Sequence, residues 1–244
     1  MKEWFRDWFS SEEYLQVYQH RDEDDAKSLS DLILANVNLA KNALILDAAC
    51  GAGRHLINLS ALGYRTIGFD LSLNLLKKAR GEARAKSIDL NLFCSDIRRV
   101  GLKPGFDLVL NLFTSFGYFE SDSENFKFIA TAYRLLKPGG IYILDFLNIG
   151  HLKDNLLPES QRRIGKKTVM EKRRIENGRV IKEILIKENG KESKFKESVK
   201  LYSREVITGA FTGAGFHFLK IFGDYNGSGF EHGNSPRLIL FFIK

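Results

Sequence analysis

Short apolar runs and amphipathic stretches alternate along residues 43–147. "ALILDAAC" is a compact apolar run suited to a strand buried on both faces. The turn Gly51-Ala52-Gly53 follows it, and "RHLINLSAL" has helical spacing that stops at Gly63. "YRTIGFD" predicts a second strand, "SLNLLKKARGEARAKS" a helix capped by Ser72, and "LNLFCSD" a third strand. "GFDLVLNLF" predicts a fourth, "ENFKFIATAYRLL" a helix closed before Lys137-Pro138-Gly139-Gly140, and "IYILDFL" a fifth. The alternation predicts an α/β fold with a doubly wound, mostly parallel sheet.

The flanks read differently. Trp4, Phe5, Trp8 and Phe9, then Tyr14, Leu15, Val17 and Tyr18, predict short amphipathic helical pieces, and Leu29, Leu32, Ile33 and Val37 a further helix. Near His151 the texture changes, and two Asn-Gly pairs flanked by alternating residues predict a three-stranded antiparallel meander. Ser203 with Glu205 opens a helix that closes at Gly215. "FHFLKIFGDY" and "RLILFFIK" then predict two strands paired across a Gly-rich loop from Asn226 to Pro236. The expected organisation is an N-terminal helical segment and the first part of the core in residues 1–150, an antiparallel insertion in 151–202, and the rest of the core in 203–244. The insertion is expected to be a substrate lid or a dimer contact.

Composition bounds this picture. A chain of 244 residues with 44% hydrophobic and 27% charged residues suits one large α/β domain with a small attachment. Two cysteines, Cys50 and Cys94, support neither a disulfide framework nor a thiolate zinc site, and they are expected to be reduced and partly buried. No histidine and carboxylate cluster has ligand spacing, so no metal is expected. The aromatic N-terminus lacks an apolar signal core, and no apolar run is long enough to span a membrane, so the expected location is cytoplasmic. The net charge of +7 is local: residues 162–200 hold 14 Lys or Arg against 6 Glu. That segment is the one place where phosphate contacts are expected, if they occur at all.

The candidate chemistry lies at the strand ends. A glycine turn after a first parallel strand lets a ligand approach the backbone at a helix N-terminus. A dinucleotide fingerprint would call for a third glycine where Leu56 stands, which weakens a dehydrogenase reading. Asp70 ends the second strand, where a carboxylate can accept ribose hydroxyls, and Asp96 ends the third, where it can accept an exocyclic amine beside Ile97. With Asp47 on the first strand, these acids outline a nucleoside pocket.

"ILDAACGAGRH", "GFD", "CSDI", "FDLVLNLFTSFGYF", "LLKPGGIYILD" and the late "AGF" together resemble the class I S-adenosylmethionine-dependent methyltransferase family, in its bacterial small-molecule branch. The resemblance implies a Rossmann-like seven-stranded sheet with a late antiparallel pair, and S-adenosyl-L-methionine as cofactor. It implies that Ala49, Gly51 and Gly53 line the methionine part, that Asp70 and Leu71 take the ribose, and that Asp96 and Ile97 hold the adenine. Asn111 and Leu112 would lie beside the sulfonium, and Tyr18 and Arg21 would reach the methionine carboxylate. The family often has a glycine where this chain has Ala49. His55 would pack near the cofactor's tail without titrating.

The expected reaction moves a methyl group to an N or O atom of a small molecule by in-line displacement, with position and a dry pocket supplying much of the rate. Phe113, Phe116, Tyr118 and Phe119 form the expected acceptor wall, with Tyr118 and Asn111 as catalytic candidates. His151 and His232 are loop residues that could reach the site mouth, His232 as an acceptor contact. The alternatives are an RNA methyltransferase using the basic insertion on phosphates, a protein methyltransferase, a non-catalytic cofactor-binding protein and a dehydrogenase. A monomer or a homodimer is expected.

Overall fold

The computed structural model describes residues 3–18 and 23–244. Arg21, assigned above to the methionine carboxylate, lies outside the described residues. Strands β1 (Leu44–Ala48), β2 (Arg65–Asp70), β3 (Asn91–Cys94), β4 (Phe106–Asn111), β5 (Leu136–Leu147), β10 (His217–Phe222) and β11 (Arg237–Ile243) form one sheet in the order β10-β11-β5-β4-β1-β2-β3. β1 pairs in parallel with both β2 and β4, so the strand order reverses between β1 and β4. A ligand crevice belongs at that switch point, beyond the carboxyl ends of the strands. β11 runs antiparallel to both β5 and β10, the late antiparallel pair expected of the fold.

Alternate residues of each central strand feed opposite faces. Leu46, Val109, Leu144 and Leu240 pack with Phe128 of α6 (Asp122–Leu135) and Phe211 of α8 (Arg204–Gly213). Ile45, Leu108, Ile143 and Ile239 pack instead with Leu29 and Ile33 of α3 (Glu23–Asn36) and Leu59 of α4 (Arg54–Ala61). Leu56 and Ile57 of α4 also meet Leu76 and Ala79 of α5 (Leu73–Ala85). Burial on both faces explains why these strands read as continuous apolar runs.

The insertion departs from expectation in strand number. It contains helix α7 (Ile149–Asn155) and four antiparallel strands, β6 (Glu159–Ile164), β7 (Lys167–Glu176), β8 (Arg179–Glu188) and β9 (Lys191–Lys200), rather than three. The missed strand reads "ESQRRI", so neither face carries an apolar stripe, and backbone pairing to β7 defines it instead. β5 also starts at Leu136, ahead of the expected Ile141.

Helices α1 (Trp4–Ser10) and α2 (Glu12–Val17) dock on this second sheet. Trp8 and Val17 pack with Val169, Ile184 and Ile186, and the Trp8 indole donates to Glu197 at 2.7 Å. Complete burial of Trp8 stabilises this docking by roughly 3 kcal/mol. Arg179 of β8 ties the small sheet to the core by donating to the carbonyls of Gly117, Tyr118 and Phe119. The small sheet and the N-terminal helices together roof the carboxyl edge of the large sheet.

Candidate functional site

After β1 the backbone turns through three left-handed residues, Ala49 (φ 57°), Gly51 (φ 56°) and Gly53 (φ 74°). Gly53 caps α4, and a Cβ there would stand 2.9 Å from Ala79 Cβ, so its glycine serves helix packing, away from the cavity wall. A Cβ on Gly51 would meet nothing within 4 Å. Gly51 therefore leaves a bare backbone face open to a ligand. Ala49 holds its left-handed conformation without glycine's freedom, a cost of about 1 kcal/mol or more.

This turn borders a cavity of about 680 Å³ enclosed between the strand ends, α1, α2 and the small sheet. Its size falls in the range of small-molecule sites. Of the residues singled out above, Tyr18, Asp47, Ala49, Gly51, His55, Asp70, Leu71, Asp96, Ile97, Asn111, Leu112, Phe113, Phe116, Tyr118 and Phe119 all line it. His151 and His232 do not. His232 is exposed, and its loop is held by Asn148, whose side chain donates to the His232 carbonyl at 2.8 Å.

The electrostatics of the wall differ from one acid to the next. Asp70 accepts the Gly51 N–H at 2.9 Å and the Ser72 N–H at 2.8 Å. Burial raises its pKa, and these backbone bonds oppose the rise. Asp47 is 2% exposed, and burial, followed by the Asp70 charge, pushes it up to about 8. Asp96 goes the other way: partial burial would raise it, but bonds and charge from Arg98 and charge from Arg6 hold it below the usual range. Its Oδ1 accepts from the Arg98 backbone N–H and Nε, and its Oδ2 from Arg98 Nη2 at 2.6 Å and Arg6 Nη2 at 3.2 Å.

Four buried polar atoms of residues that line this cavity have no protein partner: Trp4 Nε1, Asp47 Oδ2, His55 Nε2 and Asn111 Oδ1. Asn111 is 0% exposed, and its Nδ2 donates to the Ala48 carbonyl at 3.2 Å. Orphaned buried polar atoms are costly and uncommon. Those of Asn111 and ionised Asp47 are acceptors short of a donor, at the strand ends, whereas the Trp4 indole on the roof is a donor short of an acceptor.

A second anchoring device went unrecognised in the sequence. Phe113 and Thr114, directly after β4, are both left-handed, at φ 52° and 64°. Asp145 near the end of β5 holds them: its carboxylate accepts the Phe113 N–H at 2.9 Å, and its carbonyl accepts the Thr114 N–H at 3.1 Å. Arg237 pairs with the same carboxylate at 2.7 Å, and the Tyr225 hydroxyl donates to it at 3.1 Å. "IYILDFL" reads as a plain buried strand, and the one signal available was a charged residue inside that run. We expect Asp145→Ala to lower unfolding stability by about 3 kcal/mol, because it removes the buried carboxylate shared by Arg237, Tyr225 and the Phe113 N–H and releases a strained loop. Urea titration measures this; a loss below 1 kcal/mol would show that the anchor is dispensable.

The roof carries its own charges. Lys182 pairs with Glu197 at 2.8 Å and contacts the Tyr18 hydroxyl, which donates to Glu197 at 2.5 Å. Each of the six glutamates in residues 162–200 has a Lys or Arg partner, including Glu171, which holds Arg162 and Arg173. Much of the basic charge is therefore laced into the sheet. Trp4, Phe9 and Tyr118 form an aromatic wall with centroids 5.2–5.7 Å apart. Trp4 and Phe9 were absent from the expected acceptor wall because the sequence places them about 110 residues away. Cys94, expected to be partly buried, is exposed, since β3 is an edge strand.

Residues 45–140, which contain β1 to β4 and the glycine turn, match the family described as methyltransferase domain. Residues 45–140 form a methyltransferase domain. The chain is 30% identical over 133 residues to dTDP-3-amino-3,4,6-trideoxy-alpha-D-glucopyranose N,N-dimethyltransferase of Streptomyces venezuelae, covering 54% of each chain. It is 37% identical over 112 residues to glycine/sarcosine N-methyltransferase of Aphanothece halophytica, covering 45% of this chain and 42% of that one. The chain thus spans about half the length of the curated relatives it matches. In fold, it resembles the crystal structure of an S-adenosylmethionine-dependent methyltransferase from Clostridium acetobutylicum, with a TM-score of 0.83 over 95% of this chain and 97% of that one at 22% identity. The likeness covers the roof as well as the methyltransferase domain.

Proposed function

We propose that this protein transfers a methyl group from S-adenosyl-L-methionine to an N or O atom of a small molecule, with an amine nitrogen the preferred acceptor. The observation that carries the reading is the conjunction, in one cavity, of Gly51's bare face, the Asp70 carboxylate and buried acceptors without donors. A nucleoside with an ammonium-bearing tail supplies a ribose diol for Asp70 and donors for Asp47 and Asn111. Ile97 would cover the adenine and Asp96 would accept from its exocyclic amine. The two curated relatives named above are N-methyltransferases of small amino compounds, which favours nitrogen over oxygen.

When bound, the cofactor would supply an electrophilic methyl group, the acceptor's lone pair forming its bond to that carbon as the carbon–sulfur bond breaks and S-adenosylhomocysteine leaves. The chain's own residues orient and enclose the reactants. Asn111 and Leu112 form the wall beside the methyl group, and Asp145 fixes the loop that continues from them. The roof excludes water, and Tyr118 and the rings beside it present faces that suit an amine. An amine needs only to be deprotonated before attack, so positioning supplies more of the rate than a strong base.

The reading is tested by calorimetric titration with S-adenosylhomocysteine, with NAD as control. Saturable binding of the first and none of the second is expected; the reverse would make the domain a nicotinamide binder. Once an acceptor is identified by screening amines, Tyr118→Phe should lower kcat about tenfold while leaving cofactor affinity within about twofold. Equal losses in both would remove Tyr118 from the acceptor site.

A further inference from the structure

Glu3, Arg6, Asp96 and Arg98 close a ring of alternating charge between the start of α1 and the 3-10 turn (Ile97–Arg99) that follows β3. Arg6 Nε meets Glu3 Oε2 at 2.6 Å, and Arg6 Nη2 meets Asp96 Oδ2 at 3.2 Å. Arg98 Nη2 meets Asp96 Oδ2 at 2.6 Å and Glu3 Oε1 at 2.7 Å. Of the two arginines and Asp96, the cavity is lined by Asp96 alone. An ionised carboxylate offers about four lone-pair sites. In Asp96 they are taken by the Arg98 backbone N–H and Nε on Oδ1, and by Arg98 Nη2 and Arg6 Nη2 on Oδ2. Asp96 is therefore full until one donor leaves. The donors are unequal. Arg98 supplies three of them, its side chain is 15% exposed, and Glu124 at 2.7 Å and the Phe119 ring at 4.2 Å hold it further. Arg6 makes the longest of the four bonds, its side chain is 49% exposed, and Glu3 keeps it paired when it lets go.

We propose that Arg6 is an autoinhibitory contact: in the empty site it occupies the acceptor position on Asp96 that an adenine amine needs, so that the ligand and Arg6 compete for one carboxylate oxygen. The inference rests on the S-adenosylmethionine reading above and adds to it a competitor built into the N-terminal helix. The exchange replaces one guanidinium N–H by one amine N–H, and the Asp96 charge stays compensated by Arg98. Helix α1 keeps its seat while Arg6 turns to solvent, because the Glu3–Arg98 pair and the Trp8 bond to Glu197 remain. Ser72 Oγ and Asn74 Nδ2 also hold its far end, donating to the Phe9 and Ser10 carbonyls at 2.7 Å and 2.6 Å. The coupling is reciprocal, so a bound adenine weakens the Arg6 pair by the factor that the pair weakens adenine. An exposed ion pair is a weak competitor, which sets that factor at about threefold. It also sharpens selection, since a purine with no amine at this position cannot displace Arg6.

The test compares S-adenosylhomocysteine with S-inosylhomocysteine, in which a carbonyl oxygen replaces the exocyclic amine. Both are titrated calorimetrically into the wild-type protein and into Arg6→Met, which keeps an unbranched stem on α1 and removes every donor. Arg6→Met is expected to bind S-adenosylhomocysteine about threefold more tightly than wild type does. It is expected to bind S-inosylhomocysteine no more tightly, since a carbonyl oxygen cannot use the position freed on Asp96. Removing a residue that merely seats α1 would move both ligands together. Unchanged or weaker binding of S-adenosylhomocysteine by Arg6→Met, or equal tightening of both ligands, would therefore overturn the competition. So would a wild-type protein that binds the two ligands equally well, because Asp96 would then take no amine. A wild-type protein that binds neither would overturn the cofactor reading and this inference with it.

Discussion

Asp70→Ala is expected to weaken binding of S-adenosylhomocysteine by roughly a hundredfold or more. The Asp70 carboxylate uses one lone pair on each oxygen for the Gly51 and Ser72 N–H groups. In the reading above the same carboxylate also takes the ribose diol. Two hydrogen bonds to a charged acceptor contribute about 1.5–3 kcal/mol each, so their loss weakens binding by roughly a hundredfold or more. The same substitution leaves the Gly51 N–H without its acceptor and loosens the turn over which the ligand passes. Asp70→Asn separates these effects: its amide oxygen can still accept from Gly51, and its binding should fall between wild type and Ala. Calorimetry of the three proteins decides the matter. Binding by Asp70→Ala within threefold of wild type would mean that the ribose sits elsewhere, even if the methyltransferase fold is right.

Much of the core was legible because its signals are local. β1 reads as a strand because Leu44 to Ala48 is an apolar run, and Gly51 and Asp70 read as a ligand site because turn chemistry and strand ends are sequence-adjacent features. What was not legible depends on residues distant in the chain. The three-bond seat of Phe113 on Asp145, Arg237 and Tyr225 joins three segments across 124 residues, and no periodicity encodes it. β6 lacks an apolar stripe, so its place comes from its partner strand. Trp4 and Phe9 announce a buried helix face, but only the docking of α1 brings them against Tyr118. Asp96 shows a subtler limit. Its position at a strand end is readable, whereas its capture by Arg98 and Arg6 follows from a 3-10 turn and a helix packed over it.

Asp47→Asn is expected to change how both stability and binding respond to pH. The unfolded pKa of an aspartate is about 3.9, and the folded value is about 8 because burial, and then the Asp70 charge, disfavour ionisation. A raised folded pKa gives stability that is fully present below the unfolded value and is lost as pH rises through the folded one. The unliganded protein should therefore lose stability between about pH 4 and pH 8, by up to about 1.4 kcal/mol per pH unit from this group. Asn at this position keeps the shape and has no charge to desolvate, so at pH 8 the variant should melt about 5 °C or more above wild type. Ligand binding should show the opposite response. An ammonium beside Asp47 selects the ionised carboxylate, so wild-type affinity for S-adenosylhomocysteine should rise with pH from 6 to 8, approaching tenfold per unit, with release of close to one proton. Titrations in two buffers of different ionisation enthalpy count that proton. The variant should release none and bind at least about tenfold more weakly at pH 8, where it lacks the ion pair. Parallel pH profiles for the two proteins would show that Asp47 is already ionised, or does not titrate, in the free site. A thermally stabilised variant that loses ligand would instead identify Asp47 as a residue whose buried charge serves binding at the expense of the empty fold.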